Sequence, residues 1–221
     1  MNVKQIHIFL VDDSQIHLAG LRMIFSGTQH IVIAGETRYA DKVLTHPALA
    51  IADIVLLDIE LQTGNDGIEL IQPILANYPK IKIIMLSHNK DIHSIVKSIQ
   101  AGAMAYLGKD TPIEELNTAI QVVLQGNCIF LGETIPKTTL LNCFSHTPSV
   151  HNAKAWNLSQ REIEIIEWLA KGLISKEIAG ILHINVSTVE SHKDNIKQKL
   201  NLKTVVEIVV FALQNSIITT C

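Results

Sequence analysis

The stretch IADIVLLDIELQTGNDG, residues 51–67, decides the fold of the first part of the chain. Its apolar run, residues 54–57, is typical of a strand that is buried on both faces, as in a parallel sheet. The run ends directly on a carboxylate, Asp58. An acid at the end of a buried strand needs a reason other than packing.

Short apolar runs and helix-like stretches alternate on both sides of this strand. This order favours an α/β fold, a doubly wound five-stranded parallel sheet with helices on both faces. Ligands of such sheets bind beyond the carboxyl ends of the strands. The predicted strands are residues 6–11, 31–34, 54–57, 81–86 and 104–107, and the predicted helices are residues 14–26, 39–46, 67–77, 91–101 and 112–124.

The composition suits a globular protein of one large or two small domains, since 48% of its 221 residues are hydrophobic and 18% are charged. We see no secretory leader and no apolar run of about 18 residues, so we expect a cytoplasmic protein without a membrane partner. Cys128, Cys143 and Cys221 form no CxxC pair, which makes disulfides or a zinc cluster improbable.

The alternation stops at residue 126, where Gly, Pro, Thr, Ser, His and Asn become frequent. We predict a first domain over residues 1–125, a linker over 126–154 with one short possible helix at 137–144, and a separate all-α domain over 155–221. Capping boxes, in which Ser or Thr and Glu satisfy each other's free amides, are predicted to mark three helix starts. They begin at Thr111, Ser159 and Ser187.

Charged and polar residues gather where the predicted strands end. Asp12 and Asp13 follow the first strand, Asp58 the third, Ser87 the fourth and Lys109 the fifth. Three crowded carboxylates need a cation, and hard oxygen ligands suit Mg²⁺. With a hydroxyl and an ammonium added, the set can hold a phosphoryl group together with its metal. The alternative, in which the two aspartates only cap a helix and the lysine is solvated, fits each residue alone but not the set.

The motifs VDD, LLD, LS and AYLGK, in this order, resemble the flavodoxin-like receiver domain of bacterial two-component response regulators over about residues 3–125. The resemblance implies that Asp58 is the phosphoacceptor and that Mg²⁺ is held by Asp58, Asp13, Asp12 and the backbone carbonyl of Glu60.

The same resemblance assigns the remaining polar groups. Lys109 would pair with the phosphoryl oxygens, Ser87 would donate to them, and Tyr106 would be the switch aromatic. The chain departs from the family's pattern in the loop after the acceptor, which has Gln62 in place of Pro and is one residue longer before Gly67. His88 stands where the family has a small residue.

Two short helices joined by a tight turn at residues 183–186 predict a helix-turn-helix, whose second helix, from Thr188, would enter the major groove of DNA. This region resembles the LuxR-type helix-turn-helix, and the whole chain resembles the NarL/FixJ class. The residues that match are Leu158, Arg161, Glu162, Gly172, Glu177, Ile178, Ala179, Leu182, Thr188, Val189, His192, Lys199 and Leu200.

A helical wheel places Val189, Ile196 and Leu200 on the inner face of the second helix and turns its polar residues outward. Acids accept from cytosine and lysines attract phosphates, although a capping box would occupy Glu190 and the lysines could be merely solvated. The candidate DNA contacts are Glu190, Ser191, Lys193, Asp194, Asn195, Lys197, Lys199 and Lys203.

The last predicted helix, about residues 204–215, is rich in apolar residues, and the family's matching helix dimerises. Such a dimer would read two half-sites about one helical turn apart.

Together these features predict a phosphorylation-controlled DNA-binding transcription regulator, not an enzyme, which a histidine kinase phosphorylates and which forms a homodimer when phosphorylated. One rival keeps DNA binding but places the receiver under a small ligand or a protein partner. Another rival is a flavodoxin-like enzyme fused to a helical interaction module. Against it stand the lack of a glycine-rich phosphate loop and an aromatic content of 5%, which is low for stacking a flavin.

Overall fold

The computed structural model describes residues 5–28, 30–61, 65–88, 92–130, 133–136 and 156–214. The chain divides into two compact units, residues 1–90 with 98–134, here called the sheet unit, and residues 91–97 with 135–221, called the helical unit. The possible helix at residues 137–144 lies outside the described residues. The boundaries predicted at residues 125 and 154 stay predictions.

The main sheet has the strand order β2-β1-β3-β6-β7-β8-β9, and β4 and β5 form a separate small hairpin. The strands are β1 (Ile6–Val11), β2 (Ile31–Thr37), β3 (Ile54–Asp58), β4 (Glu60–Leu61), β5 (Asn65–Asp66), β6 (Lys82–Ser87), β7 (Ala105–Gly108), β8 (Asn127–Phe130) and β9 (Glu133–Pro136). All five residues of β3 are buried, as the apolar run predicts.

The predicted count of five parallel strands is wrong, because β8 adds a sixth. It pairs in parallel with β7, with Tyr106 opposite Phe130. Residues 127–130 were predicted to begin the linker, since four residues after a glycine are too few to show a periodicity. Cys128, Ile129 and Phe130 are nevertheless buried, so β8 closes the apolar edge of β7.

Parallel registers bring the carboxyl ends of β1, β3, β6 and β7 to one edge of the sheet. Asp58 lies opposite Leu86, and Ser87 lies opposite Gly108. The helices of this part of the chain are α1 (Gln15–Ser26), α2 (Ala40–Val43), α3 (Ile71–Asn77), α4 (Ile92–Ala101) and α5 (Ile113–Leu124). Ser14 caps α1 by accepting from the His17 amide at 3.3 Å, so the helix begins directly after the acidic pair.

The helical unit contains α6 (Gln160–Ala170), α7 (Ser175–Leu182), α8 (Val186–Leu200) and α9 (Val205–Gln214). The α6 helix ends at Ala170 and is followed by Gly172, whose φ of 85° is typical of a residue just past a helix end. His183, with φ of 52°, ends α7. Buried residues on all four helices form the core, among them Ile166, Ile178, Ile196 and Ile208.

Only one of the three predicted capping boxes forms. Ser159 and Glu162 cap α6 reciprocally. The boxes at Thr111 and Ser187 are wrong, because α5 is capped at Pro112 and α8 at Asn185, each without a side-chain bond. The turn after α7 lets α8 begin at Val186, so that Ser187 lies inside the helix.

No helix within the described residues is long and apolar enough to cross a membrane.

Candidate phosphoryl site and nucleic-acid interface

Three carboxylates meet at the carboxyl edge of the sheet, as the strand ends predict. Each of Asp12, Asp13 and Asp58 offers an oxygen within 4.8 Å of the others. Asp12 and Asp58 are both only 2% exposed, whereas Asp13 is half-buried. Because charge is costly to bury without partners, these acids require cations beside them.

Lys109 supplies one such cation. Its Nζ atom lies 2.7 Å from Oδ2 of Asp58 and 2.9 Å from Oδ2 of Asp12. Burial works to lower the pKa of Lys109, but the two carboxylates outweigh burial and raise it, so the side chain stays charged. One ammonium among three carboxylates leaves the site with an excess of negative charge.

The two buried aspartates differ in how their charge is stabilised. Burial raises the pKa of Asp58 above its ordinary value, although the Lys109 ammonium opposes the rise. Burial works in the same direction on Asp12, but hydrogen bonds from His17 and Lys109 prevail and lower its pKa. The Ser14 amide also donates to Asp12, at 2.9 Å. Asp12 is therefore the better-stabilised anion.

Two short strands, β4 and β5, flank residues 62–64 of the lengthened loop and pair in antiparallel, with Glu60 opposite Asp66. Just outside this pair, the Gly67 amide donates to the Ile59 carbonyl at 2.7 Å. The Glu60 amide donates to Oδ1 of Asp58 at 3.3 Å, which holds Glu60 beside the acids.

Ser87 and Tyr106 lie on neighbouring strands beside the acids. Ser87 is 2% exposed, and its carbonyl accepts from the Lys109 amide at 2.8 Å. Tyr106 is fully buried within β7. The residue after Ser87, His88, is exposed to solvent.

The polar face of α8 is less basic than its lysine count indicates. The Nζ atom of Lys193 lies 3.0 Å from the Glu190 carboxylate and 3.1 Å from the Ser175 hydroxyl. The Nζ atom of Lys197 lies 2.7 Å from Asp194. The spacing of three residues, which faces these side chains on a helix, could have revealed both pairs.

The other two lysines of this region differ from each other. Lys199 pairs at 2.8 Å with Glu162, the buried acid of the α6 capping box. Lys203 is exposed, and its ammonium has no ion pair among the described residues. Ser191 donates to the Ser187 carbonyl at 3.0 Å, and Asn195 is exposed.

Family models match both parts of the chain. Residues 8–121, more than half of the chain, match the response regulator receiver domain, and residues 156–212 match the bacterial regulatory proteins of the luxR family. The chain is a response regulator with a LuxR-type DNA-binding domain. The family shown is one of transcription regulators and not of flavodoxin-like enzymes fused to an interaction module.

Relatives along its whole length agree with this assignment. The response regulator is 31% identical to the oxygen regulatory protein NreC of Staphylococcus carnosus, over 96% of its own length and 98% of the relative's. It is 30% identical to the transcriptional regulatory protein YxjL of Bacillus subtilis, over 99% and 100% of the two chains. It is therefore a transcriptional response regulator of the NarL/FixJ type.

A solved structure of two RcsB dimers on two parallel DNAs has the same fold, with a TM-score of 0.53 and 20% identity over 96% of this response regulator and 99% of that chain.

Two site residues of this response regulator were not predicted from its sequence. Nδ1 of His17 lies 2.5 Å from Oδ2 of Asp12. The guanidinium Nε of Arg38 donates to the Asp13 carbonyl at 3.0 Å. The start of α1 directly after the acidic pair is a signal for His17, because the first helical turn must lie over the strand end. No sequence signal identifies Arg38, which follows β2.

Proposed function

We propose that Asp58 accepts a phosphoryl group and that this modification controls DNA binding by the LuxR-type domain. The observation that carries the proposal is the 2.7 Å contact between the Asp58 carboxylate and the Lys109 ammonium, inside a group of buried acids. Once a phosphoryl group is attached to that carboxylate, a lysine held at this distance can pair with the phosphoryl oxygens.

The reaction is attack by a carboxylate oxygen of Asp58 on the phosphorus of a donor, which releases the donor's leaving group and forms an acyl phosphate. The attack requires an ionised carboxylate. Lys109 favours that form and stabilises the charge that gathers on the phosphoryl oxygens. Ser87, buried on the neighbouring strand, is proposed to donate to one of those oxygens.

The chain's residues fit a magnesium ion. Asp12, Asp13 and Asp58 would hold it by carboxylate oxygens, and the backbone carbonyl of Glu60, whose amide bonds the Asp58 carboxylate, would complete the protein ligands. When bound, the ion supplies charge compensation for the phosphoryl oxygens. The excess negative charge of the acids around a single ammonium supports this role.

Phosphorylation replaces the one negative charge of the Asp58 carboxylate with about two on the phosphoryl group, at a site where Lys109 is shared between Asp58 and Asp12. The phosphoryl oxygens would draw Lys109 away from Asp12, and they would draw the Ser87 hydroxyl toward themselves. Tyr106 is proposed to follow as the switch residue. Moving a two-state equilibrium from 1:99 to 99:1 requires about 5.5 kcal/mol of such bias.

The proposed consequence of phosphorylation is that α8 binds in the major groove of DNA while lysines contact the phosphates. Lys203 is the best-supported phosphate contact, because the ammonium groups of Lys193, Lys197 and Lys199 must first leave their carboxylate partners. A histidine kinase is the proposed donor, and the proposed site of action is the cytoplasm, where DNA is accessible.

We propose a homodimer on DNA, as in the RcsB structure, with half-sites about one helical turn apart. The apolar content of α9 does not by itself support that dimer. Ile208 and Val209 are fully buried, and α9 packs on α6 and α8. These two residues therefore belong to the core of the helical unit.

The test is intact mass after incubation with acetyl phosphate, with and without Mg²⁺. We expect a Mg²⁺-dependent gain of one phosphoryl group in the wild type and none in Asp58→Asn. Asp53→Asn is the matched control, because Asp53 precedes the same strand at its opposite end and bonds the His7 amide at 2.9 Å. No gain in the wild type would favour control of the receiver by a ligand or a protein partner.

A further inference from the structure

The exposed face of α8 carries acids where a groove-binding helix usually carries neutral or basic side chains. Val189 and Ile196 are buried against the unit's core, which turns Glu190 and Asp194 to the outside. The two acids are one helical turn apart and therefore lie on the same face of the helix.

Glu190 is committed to contacts within the helical unit. The Lys193 ammonium lies 3.0 Å from each of its two carboxylate oxygens. Lys193 is itself only 13% exposed and bonds the Ser175 hydroxyl on α7. A hydrogen bond with Ser175, reinforced by Lys193, lowers the pKa of Glu190. This cluster joins α7 to α8, and Glu190, although its side chain is 50% exposed, shares both of its oxygens with Lys193.

Asp194 is held differently. Its side chain is 70% exposed, and its Oδ1 atom lies 2.7 Å from the Lys197 ammonium. A carboxylate has two oxygens with several lone pairs, so one ammonium leaves acceptor sites on the group. The hydrogen bond with Lys197 lowers the pKa of Asp194, so the carboxylate is an ionised acceptor at neutral pH. Lys197 compensates the charge that would otherwise repel the DNA backbone.

The chemistry of the major groove limits what such an acceptor can read. Guanine presents two acceptors there, and thymine presents an acceptor and a methyl group. Adenine offers an amino group beside the acceptor N7, which repels a carboxylate. Cytosine alone offers an amino group, N4, without an adjacent acceptor on the same base.

We infer that Asp194 determines base specificity by accepting a hydrogen bond from cytosine N4, whereas Glu190 joins α7 to α8 and reads no base. This inference rests on the DNA-binding function proposed above. It assigns one cytosine to each half-site at the position that Asp194 faces.

The test is selection of bound DNA from a random double-stranded library by the full chain, treated with acetyl phosphate and Mg²⁺. The wild type, Asp194→Asn and Glu190→Gln are compared. Both variants remove one negative charge from the same helix face, so both should bind all DNA more tightly. Only Asp194→Asn should lose the cytosine and prefer adenine instead, because an amide pairs with adenine N6 and N7.

Affinities on the selected site complete the test. Replacing the assigned C·G pair by T·A should weaken wild-type binding about fivefold or more, and should not weaken binding of Asp194→Asn. An unchanged motif in Asp194→Asn, or a motif that changes in Glu190→Gln, would overturn the inference while leaving DNA binding established. A wild type that enriches no sequence would overturn both the inference and the proposed DNA recognition.

Discussion

Gly67 occupies a place where no side chain fits, and Gly67→Ala is therefore the sharpest structural test of the phosphoryl site. A Cβ atom on Gly67 would lie 1.9 Å from the Asp58 carbonyl oxygen and 3.2 Å from Cα of Ile59. Both neighbours are backbone, which cannot rotate away. The glycine is required by space, because the hairpin packs directly against the acceptor's peptide.

The size of the effect follows from the contacts that must change. To restore an ordinary separation, the hairpin must move by about 1 Å or more, and overpacking of this kind costs about 1–3 kcal/mol. The 2.7 Å bond from the Gly67 amide to the Ile59 carbonyl would also weaken, at a cost of about 1 kcal/mol. We expect a total loss of about 2–4 kcal/mol, together with displacement of Glu60, whose amide bonds the Asp58 carboxylate.

Urea unfolding followed by circular dichroism measures the stability, and intact mass after acetyl phosphate measures the rate of phosphoryl uptake. Gly20→Ala is the matched control, because nothing lies within 4 Å of its added Cβ. In the middle of a helix such as α1, alanine is more stable than glycine by about 0.5–1 kcal/mol, so this variant should lose no stability. A Gly67→Ala protein with wild-type stability and uptake would refute the packing of the hairpin on Asp58.

Three further substitutions test other contacts. Lys109→Met should slow phosphoryl uptake at least tenfold with the fold retained, as measured by intact mass and circular dichroism. Glu162→Gln should destabilise the helical unit by about 2 kcal/mol at neutral pH, because the buried carboxylate accepts from Ser159 and Lys199. The pKa of Glu162 is lowered in spite of burial, chiefly by Lys199, so its contribution is present above its ordinary pKa of 4.5 and is lost as pH falls through the lowered pKa. Tryptophan fluorescence, from two residues that both lie in this unit, should therefore show a flatter acid dependence in the variant. Lys203→Ala should reduce the salt dependence of DNA binding by about one released counterion, more than Lys193→Ala does, in anisotropy titrations at several salt concentrations.

The acidic site could be predicted from the sequence because two general rules combine there. Apolar runs mark buried parallel strands, and parallel strands end at one edge, so Asp12, Asp58 and Lys109 had to meet. Both rules operate on short, local patterns and do not depend on loop conformation. The structure places these groups within hydrogen-bonding distance of one another.

Features that depend on the conformation of the assembled chain, and not on a local sequence pattern, could not be predicted. The β8 strand has four residues, too few for a periodic signal, and its burial depends on the exposed edge of β7. The helix α8 begins two residues earlier than predicted because His183 adopts a left-handed conformation, with φ of 52°. Arg38 reaches Asp13 across 25 residues of sequence, a contact that only the assembled sheet creates.

Acids lie beside lysines in both units, but the balance between the two kinds of charge differs. In the sheet unit, acids outnumber the buried cation, so the site favours an incoming cation with its phosphoryl group. Burial, together with the charge of Asp12, raises the pKa of Asp58 there. In α8, each outward acid has its own lysine three residues later, so the helix carries little net charge along this face. Affinity for phosphates is then expected to come chiefly from Lys203, which has no carboxylate partner among the described residues. The low net charge of this face predicts weak nonspecific binding, and the outward carboxylate of Asp194 predicts selectivity for cytosine. Both properties are therefore expected to originate in the acids of α8.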